Sequence, residues 1–453
     1  MKKSLLAVAA MTAFAGAAQA QSSVTVYGIL DVGFVGSAYQ GTGTTQNAAN
    51  TGGNQATPGV TQKQSTAGFG QSAESTSRIG FKGTEDLGGG MKALFTLELG
   101  LSPDSNGASY SGTTNAITQP AVFGQINRQT FVGLNKTGLG TATIGTQYTP
   151  VFDVQSATDA AGNNNLIGNA VYSASLQSSG GTFNQGLGPF TTTTAGLNAY
   201  SGAYSTRTSN SLKIQSERIA GVQGELFYAQ TNQNQQTGSG TAYSGATNVG
   251  GNNNNTAWGL NLDYVWNKLQ VVAATQNIKS YDPGVYTNSV AVSGITGLAL
   301  ASTAAANNFG SNTSDQQTYA AGVYDFNILK GYLQYSNRRA ISAQDGSYTT
   351  SRSAYQLGIK SQLTPVITAY ATMGVGKSQY FGQGNLGNNN FRTAQIGADY
   401  FLSKRTNLYV AYGSVNQSSS GTQTVTSLSN ANAQYAATPI SGTNYALGIR
   451  HTF

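Results

Sequence analysis

The chain contains one histidine, His451, and no cysteine. That composition removes thiol nucleophiles, cysteine-ligated metals and disulfides, and leaves no His cluster for a metal site. His451 falls on the same outward face as the terminal Phe453, which suits a lipid interface or a subunit contact, whereas a hydrolase base would need a carboxylate or amide to orient it. Among carboxylates, Asp31 and Glu98 pair with inward bases or act as a catalytic couple. Glycosidase chemistry would require a fixed separation and a pocket between them, which the sequence does not display. Gly88-Gly89-Gly90 has neither the following helix nor the Lys-Ser/Thr of a phosphate loop and reads as a turn. No Asp-x-Asp-x-Asp-Gly run offers calcium ligands. The expectation is therefore a non-enzyme with no metal and no cofactor.

Charge chemistry remains. Arg78, Lys82 and Arg128 read as out of phase with Ile79, Phe81, Gln129 and Phe131, which places the three bases on the opposite, wet face of their strands. Fixed bases on a wet face act through their field and concentrate anions. A long charge-poor connection over 149–203 carries two acids, Asp153 and Asp159, that can face them. The chain as a whole holds 23 Lys and Arg against 16 Asp and Glu, a net charge of +7. No basic cluster is dense enough for nucleic acid.

The elements that hold these bases repeat with a period of two. Val24, Val26, Gly28, Leu30, Val32 and Phe34 alternate with Thr25, Tyr27, Ile29, Asp31 and Gly33. The pattern returns at 92–99, 258–266 and 355–360, and in the closing run Tyr445, Leu447, Ile449, His451, Phe453. Such alternation is the mark of strands with one apolar face. Charged residues make up only 9% of the chain, against roughly 25% in ordinary soluble domains, while Tyr numbers 25 and Phe 17.

Connections alternate as well. Short ones fall at Glu85–Gly90, Lys136–Gly140, Arg218–Gly221, Trp266–Lys268, Asn327–Lys330, Leu363–Pro365 and Leu402–Arg405. Long ones, rich in Gly, Asn, Ser, Thr and Gln, cover 37–72, 102–121, 149–203, 233–254, 280–314, 340–350, 378–390 and 418–441. Together they join sixteen strands, with both ends of the chain on the short-turn side. Backbone in lipid must be fully paired, so a spanning sheet has to close on itself. An even strand number with short turns on one side and long loops on the other predicts an all-β, sixteen-stranded antiparallel transmembrane β-barrel. Barrels of that size leave an aqueous channel. Trp258, Tyr264, Trp266, Tyr400 and Tyr445 fit interfacial girdles. A secreted β-sandwich or β-helix shares the period but not the alternation of connections.

Lys2 and Lys3, an apolar run from Leu5 to Ala18, and Ala18-Gln19-Ala20 read as a secretory signal peptide over 1–20. A single barrel domain over 21–453 follows. The weakly apolar Val290–Ala306 reads as loop rather than as a spanning helix.

Several segments resemble Gram-negative porins of the beta-proteobacterial type. They are Ser23-Val24-Thr25-Val26-Tyr27-Gly28, Ser77 through Gly88 (SRIGFKGTEDLG), Asn127 through Leu134 (NRQTFVGL), Tyr148-Thr149-Pro150 and the closing Gly448-Ile449-Arg450-His451-Thr452-Phe453. The resemblance implies a homotrimer of general-diffusion pores in the outer membrane, embedded in lipid and lipopolysaccharide, with both termini periplasmic and a third loop folded into each barrel. It implies passive passage of small hydrophilic solutes and inorganic ions, mildly favouring anions, and it marks Phe453 as the signal read by the barrel-assembly machinery. It also implies a constriction in which arginines of the second, fourth and sixth strands face acids of the third loop. Here those are Arg78, Arg128 and Arg207 or Lys213, with Lys82 beside them, against Asp153 and Asp159. Arg338, Arg352, Lys360 and Arg450 are expected at the wide ends. A substrate-specific channel with inward aromatics and a surface adhesin with an occluded lumen remain as alternatives.

Overall fold

A computed structural model describes residues 23–45, 57–101, 103, 127–172, 204–236, 250–282, 311–342, 349–381, 388–420, 422–424, 434–436 and 440–453. The signal segment 1–20, Val290–Ala306 and the central parts of most long connections lie outside them.

The strands are β1 (Ser23–Thr45), β2 (Thr57–Gln71), β3 (Arg78–Gly88), β4 (Met91–Gly100), β5 (Asn127–Lys136), β6 (Gly140–Tyr148), β7 (Arg207–Ser216), β8 (Val222–Gln236), β9 (Gly250–Trp266), β10 (Leu269–Asp282), β11 (Ser311–Asp325), β12 (Lys330–Ser342), β13 (Thr349–Thr364), β14 (Ile367–Phe381), β15 (Asn388–Phe401), β16 (Thr406–Ser420), the short pair β17 (Thr422–Thr424) and β18 (Gln434–Ala436), and β19 (Ile440–Thr452). One helix, α1 (Pro150–Ala157), follows β6.

β1 pairs with β19 along one edge and with both β2 and β3 along the other. β2 and β3 are thus two halves of one spanning strand, interrupted at 72–77. Counting them together gives sixteen antiparallel strands, each with two neighbours, and the sheet closes. Closure leaves no unpaired edge, as a spanning sheet requires. β17 and β18 pair antiparallel as a separate two-stranded sheet.

The observed strands run further than the loop reading allowed. The first long connection narrows to the residues between Thr45 and Thr57, because its arms continue the ladder past Tyr39 and Gln64. The short turns fall as read. At the first, Gly88, Gly89 and Gly90 all have positive φ, from 59° to 80°, a conformation that side chains disfavour and glycine adopts freely. Ser23 and Phe453 lie on this same short-turn side, where Gly28 and Phe453 exchange backbone hydrogen bonds of 3.1 Å.

Burial is inside out relative to a soluble protein. Leu262, Leu357 and Leu447 are 53%, 55% and 61% exposed, whereas Gln276, Gln317 and Gln356 are at most 2% exposed. The exposed set is the alternating apolar face and includes Trp258, Tyr264, Trp266, Tyr400 and Tyr445. Apolar area left outward in this way is stable against hydrocarbon and not against water.

Candidate functional site

Inside the barrel, side chains from six neighbouring strands meet on one wall. Glu98 of β4 accepts from Arg128 Nε of β5 at 2.7 Å and from the Tyr27 hydroxyl of β1 at 3.1 Å. Arg78 Nε of β3 stands 3.8 Å from the same carboxylate. Arg128 also donates from Nη2 to the Tyr148 hydroxyl at the end of β6, at 3.0 Å. Arg207, the first residue of β7, lies over the Tyr148 ring at 5.7 Å, and Lys82 over the Tyr27 ring at 5.3 Å. The result is a continuous arc, Lys82–Tyr27–Glu98–Arg78/Arg128–Tyr148–Arg207, with four bases and one acid. Among the described residues, neither Lys82 nor Arg207 has a carboxylate within ion-pair distance.

Arg128 reaches this arc by a route the simple parity reading missed. Gln129 and Phe131 stand opposite Glu98 and Thr96 and share their inward face. Val132 and Leu134, 57% and 49% exposed, are the outward residues of β5. The β4–β5 register slips between Glu98 and Leu99, so Arg128 is the additional residue of a bulge. A bulge re-aims a side chain, and here it turns Arg128 inward, where it is buried beside Glu98.

The segment Thr149–Tyr172 leaves the wall and crosses the barrel interior. The sequence reading treated 149–203 as loop throughout. In fact Pro150, at the first helical position where its missing N–H costs nothing, opens α1. Asp153 on α1 pairs with Lys213 of β7, which also lies 3.5 Å from Glu225 of β8. Asp159 is placed differently from the expectation. It is buried, and its carboxylate accepts from the Asn163 backbone N–H at 2.7 Å, from Asn169 at 3.2 Å and from Gln356 at 3.3 Å. Burial also raises its pKa above the usual carboxylate value. It is a fastening of the loop and does not face the arginines.

Docking of the loop depends on a belt of amides that the sequence reading did not single out. Gln276 accepts from Val151 N–H at 3.2 Å and Gln356 from Ala170 N–H at 2.7 Å. Gln395 donates to the Leu166 and Ile167 carbonyls, each at 2.8 Å, and Asn444 accepts from Ile167 N–H at 3.2 Å. Gln317 and Gln334 link the belt laterally, Gln276 to Gln317 at 2.7 Å and Gln356 to Gln334 at 2.9 Å. Gln276, Gln317, Gln356, Gln395 and Asn444 thereby satisfy loop backbone that would otherwise be buried unpaired. The wall also makes room. A Cβ on Gly374 would collide with Ala170, and one on Gly413 with the Ile167 carbonyl. The available signal was the inward parity of these amides and glycines at one height on successive strands.

Other bases are committed elsewhere. Arg352 donates to the Ala170 carbonyl and lies over Phe391 at 4.7 Å, so it clamps the loop instead of lining a wide end. Arg338 forks onto Asp315. Arg450 pairs with Glu74 at 2.7 Å. Asp31 binds the Tyr409 hydroxyl at 2.7 Å and the backbone of Glu74 and Ser75, and so holds the inward lobe at 72–77. His451 Nδ1 meets the Thr406 hydroxyl at 2.9 Å on the exposed outer face.

The family model described as Gram-negative porin matches residues 7–420. An outer membrane porin protein of Bordetella pertussis is 37% identical over 147 residues, 32% of this chain and 34% of that protein. Outer membrane porin protein 32 of Delftia acidovorans is 45% identical over 109 residues, 24% of this chain and 25% of that protein. These matches thus cover well under half of either relative. Among solved structures, an anion-selective porin from Comamonas acidovorans superposes with a TM-score of 0.58 at 20% identity, covering 96% of this chain and 100% of that one. OmpT of Vibrio cholerae, folded in vitro, superposes with a TM-score of 0.52 at 13% identity, covering 95% and 98%.

Proposed function

The chain belongs to the Gram-negative porin family, and from that premise we propose that it is an outer-membrane channel for passive diffusion of small hydrophilic solutes and ions, mildly favouring anions. The observation that carries the selectivity is the unequal charge at the neck. The whole segment 149–206 contains only two charged residues, Asp153 and Asp159. Asp153 is engaged by Lys213, and Asp159 is buried in the loop's own hydrogen bonds. The loop therefore offers the lumen little negative charge, while Lys82, Arg78, Arg128 and Arg207 face Glu98 alone.

No bond chemistry is needed for this work. A narrow passage between the basic arc and the docked loop exposes each solute to fixed charges through little intervening water, and the field there sorts ions by sign. Opposed dipoles and charges across the neck also order water, which makes entry costly for bulky apolar solutes. In this reading Arg78, Lys82, Arg128, Arg207, Lys213 and Asp153 form the constriction, and Asp159 supports it from behind. Residues 1–20 are a secretory signal, both termini face the periplasm, Phe453 guides assembly, and three copies associate in the membrane.

The test is reconstitution of the purified protein in a planar bilayer in KCl. Large ohmic steps, grouped in threes, are the expected result. Folded protein that conducts nothing would overturn the reading.

A further inference from the structure

The basic arc ends against a ladder of aromatic rings that the diffusion of inorganic ions does not use. Tyr148 and Phe152 of α1 lie 4.5 Å apart between centroids, Phe152 and Tyr172 6.2 Å, and Tyr172 and Tyr204 6.2 Å. Tyr204 is buried in the loop's apolar cluster, which Phe152 and Tyr172 join with only part of their surface. Tyr148, Phe152 and Tyr172 are each only partly buried, so part of each side chain stays accessible. Arg207 lies over Tyr148, and Arg128 and Arg207 both stand within electrostatic reach of Tyr172. Arg128 is already engaged by Glu98 and Tyr148. Arg207 has no carboxylate partner among the described residues, so its planar fork of donors is open to a ligand.

A cationic fork beside partly accessible aromatic rings is complementary to one chemical class. A guanidinium binds a carboxylate through two parallel N–H donors, and aromatic rings bind another ring by offset stacking. We propose that the neck carries a binding site for aromatic monocarboxylates, with the carboxylate on Arg207 and the ring against Phe152 and Tyr172. The site rests on the diffusion-channel reading and names a solute class within it. An aliphatic anion of the same charge would use the arginine and leave the rings unused.

The experiment uses the intact protein in planar bilayers with KCl, titrated with benzoate or acetate as probes, each current normalised to the same channel's own current before addition. Benzoate is expected to halve the current at a concentration about fivefold lower than acetate, the size expected of one aromatic stack. Phe152→Leu is expected to abolish that difference, and Phe152→Tyr, which keeps the ring and the packing, to retain it. Arg207→Gln is expected to weaken both probes. Equal half-blocking concentrations for benzoate and acetate in the unaltered channel would overturn the site while leaving the channel. So would a benzoate preference that survives Phe152→Leu. A protein without any KCl current would remove the channel and the site together.

Discussion

Arg207→Gln isolates the field at the neck. Arg207 has no ion-pair partner among the described residues, and its contact is the Tyr148 ring, so the substitution removes one full charge and little else. Loss of that cation–π contact costs about 0.5–1 kcal/mol, too little to unfold a closed barrel. An ion passing about 8 Å from a unit charge in water feels roughly 0.5 kcal/mol. The sign is opposite for anions and cations, so the permeability ratio moves by about 1 kcal/mol, roughly fivefold before screening. Screening sets the observable. With Debye lengths of about 30, 10 and 3 Å at 0.01, 0.1 and 1 M salt, the expected fall in anion preference is about fourfold, about twofold and near zero. The assay is the reversal potential across a fixed KCl gradient at those three ionic strengths, comparing the variant with the parent. Identical ratios at the lowest salt would refute the assignment of Arg207 to the lumen. A shift of the same size at the highest salt would refute the field argument, because it would report an altered channel shape.

Further outcomes follow from the same geometry. Arg128→Gln leaves Glu98 buried with Tyr27 and a distant Arg78, so it should destabilise the barrel by about 3–5 kcal/mol. Chemical denaturation in detergent measures this, and adding Glu98→Gln should recover most of the loss. Gly413→Val should drive the Ile167 carbonyl off the wall, at a cost of about 1–3 kcal/mol of overpacking. Single-channel conductance should rise as the loop lifts, and an unchanged conductance would count against an inward loop. Asp159 is buried with its pKa raised by desolvation, so the folded state holds its proton more tightly than the unfolded chain. Its contribution to stability is full below the ordinary carboxylate pKa and declines as pH rises through the elevated folded value. Thermal midpoints should show this slope, and Asp159→Asn should flatten it.

Much of the architecture was legible because lipid and water each demand one face of every strand. Leu260, Leu262 and Leu357 alternate with Asn261, Asp263 and Gln356, and no other arrangement suits a closed sheet between two solvents. The lobe at 72–77 was not legible, since its cause is the hydroxyl and carboxylate network of Ser72, Ser77 and Asp31, which has no periodicity. Arg128 was assigned to the lumen on a parity that β5 does not have. Only the bulge, a feature of pairing with β4, turns it inward. The two acids of the third loop looked equivalent as sequence. Their difference arises in three dimensions, because α1 presents Asp153 to Lys213 whereas the turn after it folds Asp159 onto Asn163, Asn169 and Gln356. The amide belt escaped notice because glutamine is uninformative alone, and its meaning lies in Gln276, Gln317, Gln334, Gln356 and Gln395 sharing one side of the barrel.

The sign of the reversal potential of the unaltered channel across a tenfold KCl gradient, at low ionic strength, tests the central claim most directly. A basic arc facing a loop whose acids are spent predicts a potential on the chloride side, shrinking toward zero as salt rises. A potential on the potassium side would contradict it.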